Sequence, residues 1–258
     1  MSTSESSSAP APRVALVTGG SMGLGRALAS ALVSAGWRVI TDARNGARLD
    51  AAVAATARPE AVTAIAGDVA DAAHRDELAS AVRRAGRLDV LVNNASVLGP
   101  SPQPNLVEYP VDELQRVYAV NVVAPLALFQ LVAADLESSD GIVINLSSDA
   151  AAEAYQGWGG YGSSKAALDH ATAILAVEHP RLRVYAFDPG DMNTAMHQQA
   201  FPGEDISDRA APETVVPALL RLIRGTLPSA RYRASELSDA AAVLSPAEGA
   251  TPLARTPA

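Results

Sequence analysis

The sequence predicts an α/β protein built on a doubly wound parallel sheet of about seven strands, with helices on both faces, in a single domain. Two observations predict this fold. Short apolar runs alternate with amphipathic segments through the middle of the chain, and the first run leads straight into a glycine-rich turn. Continuous apolar runs are typical of strands buried on both faces, and regular strand–helix alternation favours parallel strands. The 258 residues suffice for one such domain.

Each element is predicted from its own local signal. Strands are predicted from apolar runs rich in β-branched residues, at residues 13–18, 38–41, 62–66, 90–93, 141–146 and 183–187, with residues 231–234 as a candidate seventh. Helices are predicted from apolar spacing and from glycine or proline stops, at residues 26–35, 47–57, 74–85, 111–136, 161–178 and 212–224. In such a sheet, ligands bind beyond the carboxyl ends of the strands.

The two ends of the chain differ from the middle in composition. Residues 1–12 are rich in Ser, Ala and Pro and are predicted to form a disordered tail, and residues 235–258 an Ala/Pro-rich C-terminal tail, which leaves the domain at residues 13–234. The N-terminal segment lacks the basic and apolar regions of a secretory signal. No uninterrupted apolar run reaches the roughly 18–20 residues of a membrane span. We therefore expect a cytoplasmic protein with no membrane partner.

Charge and residue usage exclude several functions. The chain has 28 acidic and 20 basic residues, a net charge of −8 that argues against nucleic acid as a partner. The absence of cysteine excludes disulfides, thiolate catalysis and cysteine-ligated metals. The histidines show no metal-ligand spacing, so no metal is predicted. We expect His74, His170 and His179 on helix surfaces, whereas His197 lies in a loop from which it could touch a substrate.

The glycine-rich turn is a candidate phosphate site. The first strand runs into Thr18-Gly19-Gly20-Ser21-Met22-Gly23-Leu24-Gly25, and a helix follows. Glycines at 19, 23 and 25 allow a sharp turn and a close backbone approach to a pyrophosphate, and the helix N-terminus offers unpaired N–H groups. The glycines alone would also suit an ordinary turn; the strand before and the helix after them favour dinucleotide binding.

A tyrosine and a lysine form a candidate catalytic pair. Tyr161 and Lys165 are four residues apart, so they share one face of a helix. Lys165 is the only lysine among 20 basic residues, as expected where a compact ammonium cannot be replaced by guanidinium. A nearby ammonium is expected to lower the pKa of Tyr161, which makes the phenol usable as a general acid or base. Taken alone, the pair would also fit an amphipathic helix surface.

These motifs together resemble the single-domain, Rossmann-like form of the short-chain dehydrogenase/reductase family. The turn has the spacing G-x-x-x-G-x-G, and further motifs follow in the family's order: Asp68-Val69, Asn93-Asn94-Ala95-Ser96, Asn121, Ser147-Ser148, Tyr161-Gly-Ser-Ser-Lys165 and Pro189-Gly190 with Thr194 four residues on. The resemblance covers about residues 13–230. Ser96 departs from the family's usual glycine and adds a hydroxyl near the cofactor.

The resemblance implies an oxidoreductase that moves hydride between NAD(P)(H) and a small-molecule ketone or secondary alcohol. It implies that Tyr161 is the general acid or base, that Lys165 lowers its pKa and binds ribose, and that Asn121 holds a relay water. The family places its active serine about thirteen residues before the tyrosine, which selects Ser148 to orient the carbonyl. The implied cofactor-binding residues are Gly19, Ser21, Met22, Gly23, Leu24, Gly25, Arg44, Asp68, Val69, Asn93, Ala95, Tyr161, Lys165, Pro189, Gly190 and Thr194.

Alternatives remain at two levels. A non-catalytic dinucleotide-binding sensor on the same fold is the alternative function, although a sensor needs no proton donor. The family also implies a homodimer or homotetramer. For the substrate, residues 149–159 and 191–210 are the expected walls, and their aromatic residues and methionines suit a mid-sized, partly apolar ketone.

The end of the second strand favours NADP(H) over NAD(H). Counted from Gly36, the family's usual acidic position falls on Ala43, and Arg44 follows with a guanidinium suited to a 2′-phosphate. Two features pull the other way: Asp42, one residue earlier, could accept from the ribose of NAD, and Met22 stands where many NADP users carry a second basic residue. If Arg44 is the ligand, Asp42→Ala is expected to change NADPH use little.

Overall fold

A computed structural model describes residues 11–238 and 251–252. The predicted tail segments 1–10, 239–250 and 253–258 lie outside the described residues. The strands are β1 (Val14–Val17), β2 (Arg38–Ala43), β3 (Val62–Ala66), β4 (Val90–Asn93), β5 (Ile142–Leu146), β6 (Arg183–Asp188), β7 (Ala230–Arg233) and β8 (Thr251–Pro252). The helices are α1 (Gly23–Ser34), α2 (Gly46–Ala54), α3 (Ala72–Ala85), α4 (Val111–Tyr118), α5 (Ala124–Ser138), α6 (Gly159–Glu178), α7 (Ala195–Ala200), α8 (Val216–Arg224) and α9 (Ala234–Ser238).

The sheet has the order β3-β2-β1-β4-β5-β6-β7-β8. The first seven strands in this order are parallel to their neighbours, and the two-residue β8 pairs antiparallel with β7. The strand order reverses between β1 and β4, so the loops after these two strands diverge and leave a crevice at their carboxyl ends. The predicted seven-stranded parallel sheet is confirmed, including the candidate seventh strand.

Two apolar layers cover the sheet, one on each face. On one face, α1, α8 and α9 bury leucines such as Leu28, Leu219 and Leu237 against the strands. On the other face, α3, α5 and α6 bury Leu78, Leu128 and others. The sheet is therefore doubly wound, as predicted. Leu237 shows that the packed chain extends through α9, a few residues beyond the boundary predicted at 234.

The long helix predicted at residues 111–136 is divided. A π-helical turn, Ala119–Val123, separates α4 from α5, because the backbone there takes up one extra residue. The combined helix Val111–Ser138 is also long and apolar enough to cross a membrane by length and composition alone. Its apolar residues form part of the core of this structure, where Leu128, Phe129, Val132 and Leu136 are buried against the sheet.

Candidate active site

A cleft of about 580 Å³ opens at the carboxyl ends of the central strands, where the strand order reverses. Beside it lies a smaller cavity of about 110 Å³. Tyr161 lines both spaces, together with Ser147, Pro189, Met192, Thr194 and Met196. A larger cleft with a smaller side cavity suits a dinucleotide and a second, smaller reactant that meet at Tyr161.

The glycine turn forms the floor of the cleft. Gly19 has a φ of +74°, in the left-handed region that favours glycine. A Cβ on Gly25 would stand 2.4 Å from both Asn94 Nδ2 and the Gly19 carbonyl oxygen, so only glycine fits there. At the start of α1, no side chain of the described residues caps the helix, and its first turn carries no acidic residue. The N-terminal N–H groups are thus left for an anion, and the residues present fit a dinucleotide pyrophosphate.

Asp42 holds this turn in place from β2. One carboxylate oxygen accepts a hydrogen bond from the Gly19 N–H at 2.9 Å, and the other lies 2.9 Å from His74 Nε2. Asp42 is 1% exposed and His74 6% exposed. The surface position predicted for His74 is therefore wrong: its ring packs so close over Gly67 that a Cβ there would lie 2.1 Å from Nδ1. The apolar periodicity of α3 could not show that a polar partner, Asp42, lies on the buried side of the helix.

Two arginines border the far end of the cleft. Arg44 follows β2, lines the cleft and is exposed, and its role as a ligand of the 2′-phosphate stays a prediction. Arg48, in the first turn of α2, lines the same space, with its Nη1 3.9 Å from Met22 Sδ. Sequence reasoning missed Arg48, although its position four residues after Arg44 at a helix start was a usable signal. The second basic residue at this end is therefore Arg48, which contacts Met22 but does not take its position in the glycine turn.

Asp68 and Val69 also border this end of the cleft. Burial raises the pKa of the Asp68 carboxyl, but the Ala70 N–H and the Arg116 guanidinium outweigh it, so that the net pKa lies below its usual value. The Asp68 oxygens accept from Ala70 N at 2.9 Å and from Arg116 Nη2 at 2.7 Å. Asp68 is therefore an ionised acceptor whose position is fixed by its neighbours.

The segment after β4 differs in detail from the implied ligand set. The Asn93 amide is buried and donates to Asn145 Oδ1 at 2.7 Å, so this side chain faces away from the cleft. Asn94, Ala95 and Ser96 line the cleft instead. Asn94, which the implied set omitted, also donates to the Thr18 carbonyl oxygen at 2.8 Å and so ties the segment to the glycine turn.

Asn121 lies behind the cleft, within the π-helical turn. Its Oδ1 accepts from the Val97 N–H at 2.9 Å and the Ser96 hydroxyl at 3.1 Å. Its Nδ2 donates to the Val97 carbonyl oxygen at 2.9 Å and to Ser164 Oγ at 3.0 Å. The side chain thus fastens the segment after β4 to α6, and the implied water relay stays a prediction.

Tyr161 and Lys165 occupy the first two turns of α6, as predicted. The Lys165 ammonium donates to the Leu146 carbonyl oxygen at 2.7 Å and lies 5.5 Å from the centre of the Tyr161 ring. Lys165 is 2% exposed. Burial lowers its pKa to about 8, and the Asp169 carboxylate opposes this shift.

The expected lowering of the Tyr161 pKa is wrong for the chain as described. Burial raises the pKa of the phenol, the hydroxyl of Ser148 counteracts this, and the carboxylates of Asp188 and Asp149 add to the rise. The desolvation of a buried phenolate therefore outweighs the neighbouring groups. At neutral pH Tyr161 is a protonated phenol, the form that a proton donor requires.

The two serines after β5 have different partners. Ser147 donates to Asp169 Oδ2 at 2.7 Å, whereas Ser148 donates to Asp149 Oδ1 at 2.8 Å. Both border the smaller cavity, but Ser147 is engaged by a residue on α6. Asp169, which sequence reasoning missed, lies one turn after Lys165 and also accepts from Arg231 Nε at 3.0 Å.

Most of the implied residues are brought together. Those that line the larger cleft are Gly19, Ser21, Met22, Gly23, Leu24, Arg44, Asp68, Val69, Ala95, Tyr161, Lys165, Pro189 and Thr194. Gly190 and Ser148 line only the smaller cavity, while Gly25 packs beneath the turn. Among residues 11–238, no group of three His, Asp or Glu side chains could hold a metal ion.

Comparisons with known proteins agree with this geometry. The sequence profile of the short chain dehydrogenases matches residues 13–205. Sepiapterin reductase from Mus musculus is 33% identical over 201 residues, which cover 72% of this chain and 77% of that enzyme. L-Xylulose reductase from Bos taurus is 34% identical over 195 residues, which cover 74% and 76% of the two chains.

Solved structures give the same result. A short-chain dehydrogenase from Shigella flexneri, complexed with NADP, superposes with a TM-score of 0.80 at 30% identity and covers 86% of this chain and 97% of that chain. One from Pseudomonas syringae gives 0.80 at 31% identity, covering 86% and 94%. The chain belongs to the short-chain dehydrogenase/reductase family. It is an oxidoreductase that uses a nicotinamide dinucleotide.

Proposed function

We propose that the protein is an NADP(H)-dependent carbonyl reductase that interconverts a ketone and a secondary alcohol. One observation carries this proposal: Tyr161, a buried and protonated phenol, lines both the larger cleft and the smaller cavity and has Ser148 and Lys165 beside it. A protein that only sensed the dinucleotide would not need a proton donor at this junction.

The residues have separate roles in this reaction. When bound, the nicotinamide supplies or accepts the hydride. Tyr161 donates its phenolic proton to the oxygen of the reduced carbonyl, and the Ser148 hydroxyl steadies the charge that develops on that oxygen. Lys165 would bind the ribose and stabilises the phenolate left after proton transfer. In the oxidative direction the same phenolate accepts the proton of the alcohol.

The preference for NADP(H) rests on three residues. Arg44 and Arg48 place two guanidinium groups at the far end of the cleft, and a guanidinium binds a phosphate through charge-assisted, forked hydrogen bonds. Asp42, the alternative ribose ligand for NAD, has both oxygens engaged by Gly19 and His74. The similar Shigella flexneri structure contains NADP, which supports the same preference.

The substrate proposed is a mid-sized, partly apolar ketone. The smaller cavity is lined by Leu98, Trp158, Met192, Met196 and Ala200 beside the polar groups. The Trp158 ring lies 5.9 Å from the rings of both Tyr161 and Phe201, so one wall is aromatic. Two similar proteins are named reductases of sepiapterin and L-xylulose, which fits the reductive direction.

We also propose a cytoplasmic homodimer or homotetramer. Apolar side chains remain exposed on the two adjoining helices: Val123 beside α5, Leu131 on α5, and Ile174 and Val177 on α6. A second copy would cover them. Val177 is 56% exposed, so Val177→Glu should lower the mass measured by light scattering at micromolar concentration without loss of helix content. A monomeric wild-type mass would contradict this assembly.

The direct test is a panel of ketones and secondary alcohols with NADPH and NADH, followed at the nicotinamide absorbance. We expect turnover of partly apolar ketones, faster with NADPH, and its loss in Tyr161→Phe. Tight binding of NADPH with no turnover of any panel member would instead favour a sensor.

A further inference from the structure

A buried imidazole nitrogen beside the smaller cavity has no partner among the described residues. His197 Nε2 is inaccessible to solvent and makes no hydrogen bond to any described residue. The side chain is 11% exposed, and its ring packs 4.8 Å from the Phe201 ring. Because buried polar atoms in proteins are almost always paired, this nitrogen is suited to a partner that is not part of the chain.

The other ring nitrogen indicates which way the imidazole is polarised. Nδ1 of the ring lies 3.7 Å from Asp191 Oδ1. The backbone of His197 is held at the start of α7, where Thr194 Oγ1 accepts from its N–H at 3.2 Å. A carboxylate beside Nδ1 favours a proton on that nitrogen, which leaves Nε2 with a lone pair. In the neutral imidazole Nε2 is then a hydrogen-bond acceptor, and a small turn of the ring would present it to the cavity that His197 lines.

Most other polar groups of the cavity are already engaged, whereas the exposed Asp191 carboxylate lies 3.7 Å from His197 and 3.9 Å from Arg209. Asp188 is paired with Arg231 at 3.0 Å, and the Ser147 hydroxyl with Asp169. Asp149 accepts from Ser148 and has the Tyr155 hydroxyl 3.1 Å from its other oxygen. Acidic groups thus predominate, so a substrate carboxylate would be repelled, whereas a neutral hydroxyl would meet a free acceptor at His197.

We propose that His197 is a specificity-determining residue that binds a second, hydroxyl oxygen of the substrate through Nε2. The substrate class is then a hydroxyketone with an aryl or apolar substituent, since Ser148 and Tyr161 line the same cavity as His197 and Trp158. This inference rests on the proposed carbonyl reductase function and adds the second oxygen to it.

The test compares two ketones that differ by one hydroxyl, acetophenone and 2-hydroxyacetophenone, each with NADPH. The measured quantity is the ratio of their kcat/KM values, because intrinsic reactivity cancels when variants are compared with wild type. His197→Leu should lower the ratio for the hydroxylated ketone about tenfold or more, since the acceptor is lost. Gln199→Leu, an exposed position on the same helix, should leave the ratio unchanged.

Two polar variants keep the test informative if His197→Leu does not fold. The longer amide of His197→Gln reaches the place of Nε2 and should retain most of the ratio, whereas the shorter amide of His197→Asn should lose it. An unchanged ratio in His197→Leu or His197→Asn overturns the role of His197 while carbonyl reduction still stands. If wild-type protein reduces no ketone of the panel, the proposed function itself is overturned.

Discussion

The two ends of the active-site cleft are built in different ways. At the dinucleotide end, polar side chains hydrogen-bond to the backbone of the glycine turn: Asp42 to Gly19, and Asn94 to Thr18. At the substrate end, the walls come from the loop after β5 and from the segment around α7, where aromatic rings pack against one another beside local hydrogen bonds such as that from Ser148 to Asp149. There, His197 keeps a buried nitrogen without a partner among the described residues.

The difference follows from what each end must recognise. Pyrophosphate presents the same charges in every turnover, so a rigid backbone cradle fixed from β2 and β4 suffices. A substrate is recognised by shape and by a few hydrogen bonds, which loops supply without altering the sheet. The following predictions test the roles of residues at the dinucleotide end, at the substrate end and at Tyr161, where the two ends meet.

The largest effect is expected at Tyr161, where the two ends meet. Tyr161→Phe removes the proton donor but keeps the ring that packs against Trp158. We expect kcat to fall by roughly 10²–10⁴-fold, while the Kd for NADPH changes less than about threefold. Steady-state rates and fluorescence titration of the cofactor measure the two quantities. A variant with near wild-type kcat would contradict the assignment of Tyr161.

The second largest effect is expected on the free energy of unfolding, when Arg231 at the substrate end is replaced. Arg231 joins Asp169 on α6 to Asp188 on β6, and its guanidinium also donates to the Ser148 carbonyl oxygen at 2.8 Å. Arg231→Met leaves both largely buried carboxylates without this cation and should cost about 3 kcal/mol in denaturant unfolding.

The matched control for that measurement is Arg233→Met. Arg233 is more exposed, and its pairs with Glu153 and Asp188 are longer, at 3.4 and 3.7 Å. We expect it to cost less than about 1 kcal/mol. Equal costs for the two variants would mean that the Arg231 network does not support the substrate end.

A pH-dependent effect is expected from Lys165. Burial lowers its pKa to about 8 in the folded chain, whereas the unfolded chain has the ordinary higher value. Between these values the unfolded state binds one more proton, so stability from this group rises with pH. Relative to Lys165→Met, the wild type should gain roughly 2 kcal/mol between pH 8 and 9.5. A difference that stays flat with pH would show that Lys165 is not desolvated.

The smallest effects are expected on cofactor binding at the dinucleotide end. Variants there distinguish residues that recognise the charge of the 2′-phosphate from a residue that positions the backbone of the glycine turn. Arg44→Ala should raise the KM for NADPH roughly tenfold, because one charge-assisted phosphate contact is lost, and change that for NADH little. Arg48→Ala should act in the same direction, more weakly. A wild-type preference for NADH would refute the role of both arginines.

Asp42 provides the contrast within the same strand end. Because its carboxylate accepts from the Gly19 N–H and faces His74, Asp42→Ala should weaken NADPH and NADH binding to a similar extent. This revises the expectation from sequence that Asp42→Ala changes NADPH use little. If removing the carboxylate weakened NADH binding alone, Asp42 would be the ribose ligand.

The sequence predicted the parts of the fold and site that depend on short-range patterns. Apolar runs located β1 to β6, because each run lies within one strand. The glycine turn, Ser148, Tyr161 and Lys165 all border the cleft or its side cavity, as the order of these motifs predicts, and their catalytic roles stay a prediction. The break in the long helix at Ala119–Val123 was not predicted, since a π-helical turn leaves the apolar spacing almost unchanged.

Contacts between distant segments were decided by the tertiary structure alone. Asp42 and His74 are 32 residues apart, and only the packing of α3 on β2 reveals that they form a buried pair and that His74 is not a surface histidine. The pKa of Tyr161 likewise depends on burial by the folded chain, which outweighs the effect expected from its neighbour in the helix. The sequence by itself determined which chemical groups are present and which share an element. Their protonation, partners and access to the cleft were set by the tertiary structure, because desolvation and hydrogen bonding depend on everything packed around a group.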